Sequence, residues 1–317
     1  MNSKTKIFHR VIVSIILSFV FTQCKKDENV IENHLNKDTV KKDTTKKDSV
    51  SKNGMVQYSA FIFPKKSRDS AMAIFLEKYN QQERHTILAL NRLDNKNKWR
   101  ADTLIIPKNL SSDFLQFSPF PSRLDSLKNI KKIAFFSYKI HAYALYENGN
   151  LVKWGPTSMG KKSTPTKTGL KFTNWKKEIA ISTSNSEWKL RWNFNVHNSL
   201  GIGWHQYDLP GFHASHSCMR LLEEDAKWMY NWANQWVLTN DGNTVLAKGT
   251  PLIIFGTSDF TSKPWLKLLK NPQENNFSVE EMNTLFLPFL EEILKEQKNS
   301  EEIRIKREQE RLEKTMK

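Results

Sequence analysis

Apolar and polar positions divide this chain into stretches of different character. Val11–Phe21, VIVSIILSFVF, is apolar without interruption and follows Lys4, Lys6 and Arg10. Its eleven residues fall short of the ~20 that a helix needs to cross a bilayer. A basic start and a short apolar run form an export-signal pattern, here over residues 1–23. Lys25–Asn53 is charged and has no aromatic residue, Gly or Pro. It cannot bury enough apolar area to offset its ordering entropy, so residues 24–54 read as a disordered tether.

Periodicity begins after that. Met55–Pro64 reads as a short extended arm. Met72, Phe75, Leu76 and Tyr79 recur at helical spacing, and Ile87–Leu93 followed by Leu104–Pro107 reads as helix, loop and strand. These make an accessory segment over 55–130. From Ile133 to Tyr146 the aromatic and β-branched composition predicts one strand. Asn148-Gly149 then turns the chain into a returning strand at Leu151–Trp154. Gly160, Pro165 and Gly169 punctuate a loop before strands at Leu170–Trp175 and Trp188–Val196. Leu222–Trp236 reads as a helix, with Glu223, Glu224 and Asp225 in its first turn and Ala226, Met229, Ala233 and Trp236 on one face. Asp241-Gly242 leads into a strand pair over Thr244–Phe255, broken by Gly249. Residues 131–261 thus read as mainly β with α, with one prominent helix. In the tail, 262–317, acids and bases interleave at i,i+4 spacing (Glu302/Lys306, Glu310/Lys314, Glu313/Lys317), as in a solvated helix. Leu285, Leu287, Leu290 and Leu294 offer the alternative of a partner-binding face.

Charge adds one constraint. The chain carries 49 Lys and Arg against 33 Asp and Glu, a net +16. That balance favours an anionic partner or simply a solvated basic surface. The basic residues are scattered through signal, tether, loops and tail, which disfavours nucleic-acid binding. No internal repeat, Gly-rich phosphate loop or metal-type cysteine pair is present.

The candidate chemistry lies in Gly203–Leu222, GWHQYDLPGFHASHSCMRLL, where His205, His213 and His216 precede Cys218. A thiol near an imidazole is a nucleophile candidate, because the thiolate is the reactive form. The predicted helix just beyond Cys218 would favour that thiolate slightly. Ser215, Ser217 and the backbone N–H groups of 217–219 could line an oxyanion hole, and Arg220 could hold a carboxylate bidentately. Two other readings stay open. His213, His216 and Cys218 could ligate zinc, although no fourth ligand is evident, or Cys218 could be an inert core cysteine among hydrogen-bonded histidines.

The run from His205 to Leu221 resembles the signature of L,D-transpeptidase (YkuD-type) catalytic domains: a histidine, a Leu-Pro-Gly loop, then Ser-His-Gly-Cys-hydrophobic-Arg-Leu. Asn148-Gly149, Trp154-Gly155-Pro156 and Gly160 through Gly169 are similar to earlier loops of that domain, in family order. The resemblance implies Cys218 as nucleophile, His205 as general base held by a backbone carbonyl, and Ser215, His216 and Arg220 as motif residues at the substrate. Ser217 replaces the usual glycine, His213 stands where proline is commoner, and His197 is the alternative base. It further implies a β-sandwich or barrel-like domain over 131–261 with a helix after the cysteine, and acyl transfer from a peptidoglycan stem peptide to an amine acceptor, another stem or a protein, without cofactor or metal; hydrolysis on the same scaffold, or wall binding without catalysis, are the alternatives. Phe21-Thr22-Gln23-Cys24 resembles a lipobox, which would make Cys24 a lipidated N-terminus anchored in a membrane of the cell envelope, the outer membrane above all. Cys218 would then lack a disulfide partner in an oxidising compartment. Ile87–Arg92–Leu93 with Leu104–Pro107 resembles the second half of a LysM module, which implies glycan binding or a degenerate structural remnant.

Overall fold

Phe135 and its neighbours in Ile133–Ser137 are buried on both sides, and this strand organises the rest. The computed structural model describes residues 56–182 and 185–316, all within one compact unit; the signal over 1–23, Cys24 and the tether over 24–54 lie outside the described residues. In chain order, β1 (Tyr58–Ile62), α1 (Arg68–Lys78), α2 (Gln81–Leu90) and β2 (Thr103–Pro107) come first. Then follow β3 (Ile133–Ser137), β4 (Ala142–Glu147), β5 (Asn150–Pro156) and β6 (Gly169–Phe172). β7 (Lys176–Ile181), β8 (Lys189–His197), β9 (Ile202–Gln206) and β10 (Met219–Leu221) lead into α3 (Glu223–Trp232). β11 (Val237–Leu238), β12 (Val245–Ala247), β13 (Pro251–Phe255), α4 (Val279–Phe286) and α5 (Leu290–Thr315) complete the chain.

Five strands form a sheet in the order β5-β4-β3-β13-β6, with β13 parallel to β3. Four more form a second sheet, β10-β9-β8-β7, in which β9 and β10 run parallel. Strand period decides what each face meets. Ala134 and Phe136 point towards Phe194, Trp204, Met219 and Leu221 of the second sheet, with Ala226 and Met229 of α3 closing the layer. Ile133 and Phe135 point the other way, against Trp265, Met282, Phe286 and Ile293. A strand covered on both faces reads as a continuous apolar run, which is why β3 shows no alternation. The result is a β-rich fold with helices, as the hydrophobic pattern requires.

The first segment is not a separate bead. Leu104 and Ile106 of β2 pack with Phe63, Met72, Phe75, Ile87 and Leu88, while Ile105 between them joins the central core. The buried Asn91 fastens α2 to β2: its amide donates to the Ile87 and Ile105 carbonyls, and its oxygen accepts from Ile105 N–H at 2.9 Å. α2 itself opens on a reciprocal cap between Asn80 and Glu83.

Several elements differ from the expectation. The single strand over Ile133–Tyr146 is two antiparallel strands, β3 and β4, joined by a turn in which His141 takes a positive φ of 51°. No Gly or Asn marks that turn, so nothing in the pattern announces it. By contrast, Asn148 and Gly149 both adopt positive φ and close the next hairpin as a two-residue turn. The helix after Cys218 stops at Trp232, leaving Trp236 outside it. The strand expected over Leu170–Trp175 is β6, which ends at Phe172, and β7 has no counterpart in the expectation. In the tail, Ile293 is fully buried and Leu285, Leu290 and Leu294 pack against the central core, so these leucines are used internally and only the distal part of α5 is a solvated helix. Leu287 remains exposed. No described helix is long and apolar enough to cross a membrane.

The tail therefore has two halves of different weight. Ile293→Ala should lower unfolding free energy by about 2–5 kcal/mol in urea titrations, because it empties a core site. Leu312→Ala, half-exposed on distal α5, should stay within about 0.5 kcal/mol.

Candidate active site

The site grows out of the parallel pairing of β9 and β10, whose register sets Met219 beside Trp204 and Arg220 beside His205. Alternation sends Trp204, Met219 and Leu221 into the core. The same alternation puts Gly203, His205, Cys218 and Arg220 on the opposite face. There, His205, Cys218 and Arg220 line one open cleft, together with Trp175, Trp188 and Tyr207. Gly203 has no alternative: a Cβ there would lie 2.2 Å from the Phe194 carbonyl oxygen.

His205 is buried, and its Nδ1–H donates to the Gln206 carbonyl at 2.9 Å. That bond assigns the proton to Nδ1 and leaves Nε2 with a lone pair. Burial holds the imidazole down to about 4 and nearby Arg220 adds to this; only the Gln206 bond opposes. Half-buried Cys218 has its thiol pushed up by burial, against smaller opposing effects of the Gly203 backbone and Arg220. Its Sγ lies 3.8 Å from the Gly201 carbonyl oxygen. The resting pair is therefore a neutral thiol and a neutral imidazole. The expected help from the helix dipole is lost because β10 separates Cys218 from α3.

Two loops brace the signature. Ser215 is buried; its Oγ donates to the Cys218 carbonyl at 2.5 Å and its N–H to the Met159 carbonyl at 3.0 Å. The Ser215 carbonyl in turn accepts from Lys161 N–H and Thr164 Oγ1. Ser217 Oγ donates to the Thr164 carbonyl at 3.1 Å, and its backbone sits at φ 81°. That left-handed conformation explains why glycine would suit this position and why serine, with a short hydroxyl that bonds locally, is tolerated. His213 is buried with both nitrogens engaged, Nδ1 accepting from Met159 N–H and Nε2–H donating to the Tyr138 carbonyl. It cannot join His216 and Cys218 around a zinc ion. Among the described residues no group of three or more His, Cys, Asp or Glu is placed to hold a metal.

At the rim, exposed His216 leans on the Trp188 ring at 5.1 Å and lies 3.3 Å from Lys161 Nζ. Arg220 lies over the Tyr207 ring at 4.5 Å and reaches the Asp208 carbonyl at 3.4 Å. His197, at the end of β8, lies 3.4 Å from Ser199 Oγ and does not line the cleft. Asp225 is tied up in a buried pair with Lys153 at 2.8 Å, and Asp208 pairs with Lys96. No carboxylate is among the described residues lining the cleft. Sequence reading missed Trp175, Trp188, Tyr207 and Lys161. Tyr207 sits inside the signature and could have been found there; the tryptophans belong to a distant hairpin with no motif of its own.

Ser217→Gly should leave stability within about 1 kcal/mol, since relief of positive-φ strain offsets one lost hydrogen bond. Ser217→Val, β-branched at that φ, should cost more than about 2 kcal/mol in the same urea titration. Burial holds the His213 imidazole at about 4, with the Tyr138 carbonyl bond opposing. A histidine depressed in the folded state resists protonation that the unfolded chain accepts. Stability should thus be full above about pH 6.5 and fall towards pH 4, with His213 responsible for about 3 kcal/mol of the loss. Unfolding free energies measured across that range should show a shallower slope in His213→Gln.

Comparison with known proteins bears on the same segment. Residues 132–254 match the family model of the L,D-transpeptidase (YkuD) catalytic domain. No curated protein matches. Similar solved structures include the L,D-transpeptidase of Stackebrandtia nassauensis, at 21% identity over 41% of this chain and 58% of that one, TM-score 0.34. An L,D-transpeptidase in complex with imipenem gives 21% identity, 39% and 59% coverage and a TM-score of 0.32. L,D-transpeptidase 1 of Mycobacterium tuberculosis gives 24% identity, 39% and 62% coverage and a TM-score of 0.30. This chain thus spans less than two thirds of each of these structures. The segment that carries the candidate site is thus similar to L,D-transpeptidase catalytic domains.

Proposed function

We propose that this protein transfers acyl groups between peptidoglycan stem peptides, with Cys218 as nucleophile and His205 as general base. The observation that carries the reading is the shared face of β9 and β10: a cysteine and a histidine whose tautomer is fixed by a backbone carbonyl line one cleft.

Chemistry follows from the neutral pair. As Sγ attacks the carbonyl carbon of the donor stem, its proton passes to Nε2 of His205, so charge develops only in the transition state. The carbonyl oxygen becomes an oxyanion, to be met by backbone N–H groups of 217–219. Ser215 and Ser217 serve this through the main chain, since their hydroxyls are engaged with the carbonyls of Cys218 and Thr164. Collapse breaks the peptide bond; the departing terminal D-alanine takes the proton from His205 and a thioester remains on Cys218. An amine of a second stem then attacks the thioester, gives its proton through His205 to the leaving sulfur, and a 3→3 cross-link results. Arg220 and His216 face the cleft and are the side chains offered for substrate contact. With no carboxylate lining it, the cleft favours a donor that presents its own carboxylate to Arg220. An export signal and a lipidated Cys24 would place this chemistry in the cell envelope, facing peptidoglycan, and the reading includes both.

Intact mass after incubation with imipenem tests the acyl step. A covalent adduct is expected on the unaltered protein and none on Cys218→Ala; an adduct that persists without Cys218, or none at all, would sink the assignment. Wall fragments treated with the protein separate the two outcomes of deacylation: cross-linked dimers for transfer, shortened monomers for hydrolysis.

A further inference from the structure

Arg92 is buried with no acidic partner among the described residues, and part of its contacts lead to the loop before Cys218. It follows α2 at a positive φ of 61°, with 4% of its surface exposed. Its Nε donates to the Ile140 carbonyl at 3.0 Å and its Nη1 to the Leu90 carbonyl at 2.6 Å. The guanidinium lies over the rings of Trp154 (5.9 Å) and Trp265 (5.5 Å). Among the described residues no ion pair reaches it. Burial of a cation without a counter-charge is costly, and an apolar side chain would fill an aromatic box more cheaply. Core packing alone therefore does not account for arginine here.

Position does. The Arg92 carbonyl accepts from Gly211 N–H at 3.0 Å. Its guanidinium fixes Ile140, and the neighbouring His141 stacks on His213 at 3.6 Å. One residue thus reaches the loop at Gly211 directly and at His213 through the β3–β4 turn. The turn it begins continues the grip. Leu93 bridges Pro210, Asp94 N–H donates to the Leu209 carbonyl at 3.2 Å, and Asp94 Oδ2 accepts from Leu209 N–H at 2.7 Å. Lys96 pairs with Asp208 at 3.0 Å. From Asp208 to Gly211 the signature loop is held directly by residues 92–96, which lie outside the matched domain.

We infer that the turn Arg92–Lys96 is a clamp that sets the catalytic loop, with Arg92 as a positioning residue for Cys218. The inference rests on the acyl-transfer reading of Cys218. It gives the amino-terminal segment a task in the reaction cycle that does not require glycan binding. A loop carrying its nucleophile several residues downstream must hold both the thiol and the 217–219 amides in register with His205, and small displacements at reacting atoms are expensive in rate.

Arg92→Met and Asp94→Ala, made in the full chain, test this with three readouts. Acylation of Cys218 by imipenem, followed by intact mass, should slow at least tenfold in both. Alkylation of Cys218 by iodoacetamide, which needs no oxyanion contacts, should change less than threefold. Backbone hydrogen exchange should speed at least tenfold over 207–218 while the five-stranded sheet keeps its protection. Arg92→Lys, which keeps the charge but not the two-carbonyl reach, should fall between. Acylation within threefold of the unaltered protein would overturn the clamp, as would parallel loss of acylation and alkylation, or exchange that rises uniformly. Asp94 is partly exposed at the surface, so Asp94→Ala decides the matter if Arg92→Met does not fold. Should the unaltered protein fail to acylate at Cys218, the acyl-transfer reading falls, and exchange over 207–218 still decides the clamp.

Discussion

A three-residue parallel pairing, Met219–Leu221 against Trp204–Gln206, is the constraint on which the site depends. Because successive side chains in a strand face opposite ways, the core can claim Trp204, Met219 and Leu221 only if Gly203, His205, Cys218 and Arg220 face outward. Hydrophobic burial thus fixes which side chains face the cleft: a slip of one residue would turn His205 and Cys218 towards the core and Trp204 away from it. The pairing is short, so its register needs support from elsewhere. That support comes from the layered core beneath and from the loops that hold residues 208–218 above.

Electrostatics in this arrangement run opposite to those of a reactive ion pair. Burial raises the Cys218 thiol and depresses the His205 imidazole, so neither carries charge at rest. Such a pair reacts more slowly with stray electrophiles and oxidants than a thiolate would, and the proposed acyl transfer then relies on backbone N–H groups to meet charge as it forms. Rigidity of the loop then matters more than thiolate population. The hydroxyls of Ser215 and Ser217 fit that demand, since both hold main-chain carbonyls around the cysteine instead of facing substrate.

Much of the candidate site is legible in the sequence because it is local. His205, Ser215, His216, Cys218 and Arg220 fall within sixteen residues, and the Asn148-Gly149 turn carries its own signal. What was not legible is long-range or lacks a local marker. Trp175 and Trp188 reach the cleft through the β7–β8 hairpin, and the turn at Tyr138–His141 bends without glycine, forced by burial on both sides of β3 and β4. Helical charge patterning correctly described distal α5 but hid the burial of Ile293. Arg92 carries no local mark of its burial, since nothing in its neighbours announces two tryptophans from distant segments.

The account stands most directly on whether His205 accepts the proton of Cys218. The rate of imipenem acylation, measured for the unaltered protein and for His205→Ala across pH 5–9, decides it. The expected result is a loss of about 10²–10⁴-fold near neutral pH, narrowing at alkaline pH as hydroxide ionises the thiol instead. Equal rates in the two proteins at pH 7 would contradict the account.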